Sequence, residues 1–230
     1  VTTQLGDIVI KGTDNMDEIN AAMVSGTYID GSARIVSANN NLDLTLSPKF
    51  KGNVTLESMN GKIYVRNFQG KKLTVKANNG TISIYNSITD SLVIKTSNGK
   101  VDCENVVSDH LKINAANGTI SFDNALVRNG NLDSKNGSIN INRIASSEFL
   151  ALMNDNGDIK GYDTAAKSYL VSTKEGDIDL ARTTFDEARF ESINGDIDLS
   201  IVKCGNKKKI QSLCGVTNIV YVKSNYNIRR

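Results

Sequence analysis

Residues 78–87 read Asn78-Asn79-Gly80-Thr81-Ile82-Ser83-Ile84-Tyr85-Asn86-Ser87, a tight turn running into alternating apolar residues. Nearly the same words return at intervals: SNGKVDCEN, ANGTISFDN, KNGSININR, DNGDIKGYD, KEGDIDLAR and INGDIDLSI. Their glycines are Gly61, Gly80, Gly99, Gly118, Gly137, Gly157, Gly176 and Gly195. Every step is 19 residues except the 20 between Gly137 and Gly157, and Gly215 follows after 20 more. Upstream, Asn40 takes the glycine slot of Asn39–Leu44, and Leu5–Ile10 fits the same frame around Gly6. A fixed period of this length marks a repeat architecture.

Inside each unit the apolar residues alternate. After the glycine come Ile63 and Val65, Ile82 and Ile84, Val101 and Cys103, Ile120 and Phe122, Ile139 and Ile141, Ile178 and Leu180, Ile197 and Leu199. Before it come Val54 and Leu56, Leu73 and Val75, Leu92 and Ile94, Leu111 and Ile113, Leu150 and Leu152. Period-two alternation of β-branched residues means strands with one buried face. Positive φ is expected at both the Asn and the Gly slot, since glycine adopts it freely and asparagine tolerates it. The preceding amides, Asn60, Asn79, Asn98, Asn117, Asn136, Asn156 and Asn194, are spaced to stack as a ladder, with Glu175 interrupting it.

Two architectures read from these letters. Asn-Gly can close a type I′ hairpin, or each unit can be one coil of a solenoid. Stacked coils must keep equal length and hairpins need not, so the beat points to coils. The expected fold is all-β: a single-domain β-solenoid of about 10 coils, near 50 Å long at ~4.8 Å per coil. Residues 1–32 would form an N-terminal coil with a short helical cap over 13–23, where Met16, Ile19 and Met23 are helically spaced. Residues 33–202 would carry the regular repeats and 203–230 a basic cap, and the open edges leave end-to-end or side-by-side self-association as a further partner expectation.

Composition narrows function more than it defines it. The 230 residues are 39% hydrophobic, with one proline, no tryptophan and 6% aromatics, so the core must be aliphatic. Net charge is only +2, too little to draw in nucleic acid. Its distribution is uneven: residues 141–200 hold twelve acids and six bases, and residues 201–230 seven bases and no acid. A single histidine, His110, and Cys103, Cys204 and Cys214 without metal spacing leave little for a zinc site or a Ser-His-Asp device. Cys204 and Cys214, ten apart, could pair in an oxidising compartment. No apolar run reaches the ~18 residues of a membrane-spanning helix.

Asp158, Asp177 and Asp196 follow the glycine in three successive units, with Asp179 and Asp198 two residues further on. Stacked rungs would bring like charges within ~5 Å, which is unfavourable in a sheet. Ca²⁺ would relieve it; so would simple solvation of an acidic face. Paired carboxylates also admit a polysaccharide lyase or hydrolase, but the seven tyrosines are scattered and no tryptophan offers a sugar platform. Lys207, Lys208 and Lys209 are candidates for an anionic partner or for folding back on the acidic stretch.

The tandem SxNGxIx[IVL] units, over about residues 33–202, resemble a family of bacterial adhesin-type β-strand-repeat proteins of unknown function. That resemblance implies a right-handed β-helix-like solenoid and a secreted or cell-surface location, and carries no catalytic residue. The resulting expectation is a non-enzymatic structural or adhesive rod that presents a repetitive surface to a protein or glycan. A polysaccharide-acting enzyme and a scaffold subunit of an intracellular or organellar assembly are the alternatives.

Overall fold

The computed structural model describes residues 51–221 in full, save the side chains of Val202 and Asn206, and six strands upstream by backbone alone. Those six are Thr2–Leu5, Ile8–Gly12, Asn20–Ala21, Ser25–Ile29, Ser32–Val36 and Leu42–Leu46. All regular structure among the described residues is strand. It forms a parallel β-solenoid of about nine turns.

One rung shows how the sequence makes it. Strand Ile82–Asn98 runs almost the whole coil, and the next, Val101–Asn117, lies on it in parallel and in register, Ile82 on Val101 and Asn98 on Asn117. The rung has three inward runs: Ile82 and Ile84, then Ser87 and Thr89, then Leu92, Ile94 and Thr96. Asn86, at φ 49°, turns the chain between the first two. At the second corner the Thr89 hydroxyl lies 2.9 Å from the Lys71 carbonyl one rung below and 3.3 Å from the Ser91 amide. Glycine closes the third corner.

The close stacking of that corner explains the glycine beat. A Cβ on Gly99, Gly118 or Gly195 would sit inside contact distance of the carbonyl oxygen of the glycine one rung earlier. Backbone proximity, more than φ, therefore fixes the residue. The expectation of positive φ at the Asn slot is corrected: the left-handed residues lie six places after the glycine, at Asn67, Asn86, Asn105, Asn124, Arg143, Asp163 and Arg182. The turn asparagines stay extended because their amides must point along the stack.

Inside, Ile82, Val101, Ile120, Ile139, Ile159, Ile178 and Ile197 make one buried column, each in register with the next. Each such side chain contributes about 1.5–3 kcal/mol by leaving water. Hydroxyls beside the glycine corner bond in a repeating way: Ser134, Thr173, Ser192 and the half-buried Ser212 donate to the carbonyls of Gly118, Gly157, Gly176 and Gly195, while the buried hydroxyls of Ser58 and Thr96 have no partner. The 20-residue step after Gly137 is absorbed at the second corner, where the register moves from Val127–Ser146 to Asn129–Phe149.

Stacking at the start is not in chain order. Ile8–Gly12 pairs with Leu42–Leu46 on one side and with Ile63–Arg66 on the other. The first unit is thus intercalated between two later ones, in the frame its sequence sets. Ser25–Ile29 and Ser32–Val36 form an antiparallel pair. The helix expected over 13–23 falls outside the described residues except at Asn20–Ala21, which pair antiparallel with Thr45 and Leu44. Arg229 and Arg230 also lie outside the described residues.

Candidate functional site

In every rung the third and fifth residues after the glycine point outward. Register links the fifth positions Tyr85, Glu104, Asp123, Asn142 and Tyr162 in one column. Tyr85 and Tyr162 are therefore four rungs apart, roughly 19 Å at ~4.8 Å per rung. A groove of about 540 Å³ runs along this column from the rung of Asp102 and Glu104 to that of Asp179 and Ala181; Asp123, Asn140, Asn142 and Tyr162 line it, and Tyr85 stands one rung before it. The small outward Ser121 keeps its floor low, while Gly161 takes an inward slot, where a Cβ would run into the core residues Leu180 and Ile141.

Aromatic and cationic groups cluster beside the groove. Tyr64 and Tyr85 meet at 5.4 Å between ring centroids, and the Arg66 guanidinium lies 5.4 Å from the Tyr64 ring. Arg182 lies 5.8 Å from the Tyr162 ring, which is 48% exposed. Burial and then the Asp102 carboxylate push the Tyr85 phenol up from its ordinary value. Asp102 pairs with Lys100 at 3.2 Å and Asp123 with Arg143 at 2.8 Å. The buried Oδ1 of Asn142 has no hydrogen-bond partner. The groove is thus polar, acidic and rich in acceptors: Asp102, Glu104, Asp123 and Asp179 line it against Lys160 alone.

The aspartates after the glycines do a different job. The Asp177 amide donates to the Asp158 carboxylate at 3.1 Å, the Asp196 amide to Asp177 at 2.8 Å, and the Val216 amide to Asp196 at 2.7 Å. Each carboxylate binds the backbone of the next rung. The Asp177 amide, with the Lys160 ammonium 3.0 Å away, holds the Asp158 carboxyl below its ordinary value, and Asp158 raises Lys160 in return. Asp198 accepts from Asn218 at 2.7 Å, and Asp179 faces the groove. Among the described residues no group of three or more His, Cys, Asp or Glu side chains is placed to hold a metal ion.

Lys207 and Lys209 reach back to the preceding rung, bonding Glu187 at 2.9 Å and Glu191 at 3.1 Å. Lys208 lies 3.7 Å from the Cys204 sulfur. Arg189, at 2.7 Å, and then Lys209 hold the Glu191 carboxyl down. Cys103, Cys204 and Cys214 are free thiols; burial pushes Cys103 well up, which makes it a small core residue. His110 contacts Arg128 at 3.2 Å on the surface.

The turn amides do stack. Asn79 donates to Asn60, Asn98 to Asn79, Asn117 to Asn98, Asn136 to Asn117 and Asn156 to Asn136, at 2.7–2.9 Å. Glu175 lies next in register, between Asn156 and Asn194. A second ladder went unread in the sequence: Asn105 donates to Asn86 and Asn124 to Asn105, at the left-handed corner. Its signal was present, an asparagine six places after four successive glycines. The tyrosine pair was missed too, because 77 residues separate Tyr85 from Tyr162.

The repeating coil with its glycine corners defines a class of parallel β-solenoid domains. Two successive matches, over residues 6–126 and 108–229, show that the chain belongs to the Toastrack DUF4097 family, a repeat-type domain of unknown function. They overlap over 108–126, the length of one coil, as expected where the repeat admits more than one alignment. No curated protein and no solved structure matches the chain.

Proposed function

We propose that the chain is a non-enzymatic, adhesion-type rod that holds a glycan along the groove that Tyr162 lines and Tyr85 adjoins, in a secreted or cell-envelope setting. One observation carries this: a shallow groove rich in amide and carboxylate acceptors is lined by Tyr162, with Tyr85 in the same outward column one rung before its first lining residues. An aromatic ring packs against the C–H face of a pyranose while neighbouring acceptors take its hydroxyls; Tyr suits such a half-wet site. Convergent polar groups in a concavity are the usual recognition geometry.

A glycan array probed with the full chain tests the reading. A bound oligosaccharide should lose at least tenfold in affinity with Tyr85→Ala/Tyr162→Ala and almost nothing with Lys207→Gln/Lys209→Gln. Undiminished binding by the tyrosine variant, or no glycan retained at all, overturns the site. Unsaturated-product absorbance on incubation with acidic polysaccharides would overturn the non-enzymatic reading.

A further inference from the structure

The long segment before each glycine carries a different groove, of about 380 Å³, on another outward surface. Lys76, Lys95, Lys112 and Lys135 wall it, over a floor of Asn78, Ser97 and Ala116. Register places Lys95 directly on Lys76 and Lys112 on Val93, two residues from Lys95. Lys135 stands one rung further on, between Ser134 and Asn136. Like charges on adjacent rungs are unfavourable. Glu57 neutralises Lys76 at 2.7 Å, but among the described residues Lys95, Lys112 and Lys135 make no ion pair. The contrast is with Lys100, Lys160, Lys174, Lys207 and Lys209, each held by a carboxylate at 2.7–3.2 Å. The one acid in the groove, Asp133, is 3.4 Å from the Asn114 amide.

We infer that Lys95, Lys112 and Lys135 form a binding site for a linear polyanion running along the rod, and that this polyanion is an acidic polysaccharide. The three lysines climb successive rungs, about 10 Å along the axis at the ~4.8 Å rung spacing, with Lys112 and Lys135 displaced two residues to opposite sides of the Lys95 column. A chain with repeating negative charge can meet them one after another, whereas a single small anion meets one or two. Lysine suits this task, since its compact charge needs no planar geometry. No aromatic side chain lines the groove, so nucleic-acid bases find no stacking platform. No large apolar residue lines it either, which leaves a lipid surface nothing to insert into. The site is independent of the tyrosine groove and does not rest on it.

The test titrates the full chain with three probes at several salt concentrations: a heparin-derived hexasaccharide, a polygalacturonate oligomer and a single-stranded oligonucleotide. The two glycans separate sulfate from carboxylate as the anionic group. At least one should bind, with an affinity falling steeply with salt. In Lys95→Gln/Lys112→Gln/Lys135→Gln the slope of log K against log salt should flatten by about two to three, one unit per lost contact. Affinity should fall at least tenfold at low salt, while the melting temperature holds or rises as the Lys76–Lys95 repulsion is relieved. Tyr85→Ala/Tyr162→Ala should leave this binding unchanged. An unchanged slope in the triple variant overturns the site, as does an equal loss in Lys207→Gln/Lys209→Gln, which would assign binding to the basic C-terminal segment. Tighter binding of the oligonucleotide than of either glycan overturns the ligand class. No binding by any probe overturns both.

Discussion

The rungs from Ile82 to Asn136 and those from Ile159 to Ser212 share one backbone and differ in what ties neighbours together. The first set is joined on its surface by neutral amides: Asn98, Asn117 and Asn136 at the glycine corner, Asn105 and Asn124 at the next. The second set replaces them with charge. Asp158, Asp177 and Asp196 bind backbone amides of the following rung, while Arg182–Asp163, Lys207–Glu187 and Lys209–Glu191 bridge coils. The cores diverge in parallel. The first is mostly aliphatic, and the second adds Tyr169 and Phe185 packed edge-on against Phe190. One fold thus tolerates two bonding chemistries, because the load common to both is the glycine contact and the buried aliphatic column.

The hardest test of that shared load is one glycine from each stretch. Gly118→Ala and Gly195→Ala should each destabilise by several kcal/mol, more than the roughly 1 kcal/mol that Gly costs or gains through propensity alone. Each new Cβ meets a backbone carbonyl that cannot rotate away. Urea denaturation followed by circular dichroism reads the effect. Similar losses in both stretches support a common backbone constraint. A tolerated Gly118→Ala would break the stacking account outright.

The next effect separates the chemistries. Asn117 both donates to Asn98 and accepts from Asn136, so Asn117→Ala removes two amide bonds, worth about 0.5–1.5 kcal/mol each before discounting for exposure. Asp177→Ala removes one acceptor but also a negative charge flanked by Asp158 and Asp196, so the two changes oppose. Asp177→Asn keeps an acceptor oxygen and sheds the charge. The expected order of thermal stability is Asn117→Ala lowest, Asp177→Ala close to wild type, and Asp177→Asn at or above wild type in low salt. A loss at Asp177→Ala as large as at Asn117→Ala would mean the charge costs nothing.

Much of this comparison is visible in the letters and some is not. Glycines in phase and alternating Ile and Val reveal the coil, because both are local demands of one rung on the next. The amide ladder follows from the same phase. What a column holds several rungs away is harder, since the extra residue near Ser147 moves every later position by one. Tyr85 and Tyr162 align only after that correction. Alternation also tells which face of a strand is buried without saying which strand lies beside it. The N-terminal unit therefore reads as the first coil, although Ile8–Gly12 sits between Leu42–Leu46 and Ile63–Arg66. Glycine phase suggested positive φ at the turn asparagine, whereas the left-handed corner fell at Asn86 and its equivalents, where the backbone must bend with no glycine present.

Acid should act on the charged rungs alone. Asp158 sits below its ordinary 3.8 and Glu191 below its ordinary 4.5. A carboxyl depressed by folding stabilises above its unfolded value, and that contribution disappears as pH falls through the folded one. Melting temperature should therefore hold down to about pH 4.5 and then drop as Glu191 and Asp158 take up protons. Asp158→Asn and Glu191→Gln should each flatten that drop, with a lower plateau at neutral pH. Asn117→Ala should shift the whole curve down without changing its shape, because an amide does not titrate. A flattened acid limb in the amide variant would break the distinction between the two stretches.

Divalent cations give the smallest and most discriminating shift. Asp158, Asp177 and Asp196 repeat at the rung spacing, and each already gives one oxygen to a backbone amide. A Ca²⁺ ion needs six to eight oxygens converging on one point, whereas these carboxylates are strung along a line. Counter-ions should gather along that line and screen it without being coordinated. Millimolar Ca²⁺ and Mg²⁺ should then raise the melting temperature slightly and equally, and Asp177→Asn/Asp196→Asn should abolish both shifts together. Coordination discriminates between the two ions and screening does not, so a rise confined to Ca²⁺ and lost in that variant would identify a true calcium rung.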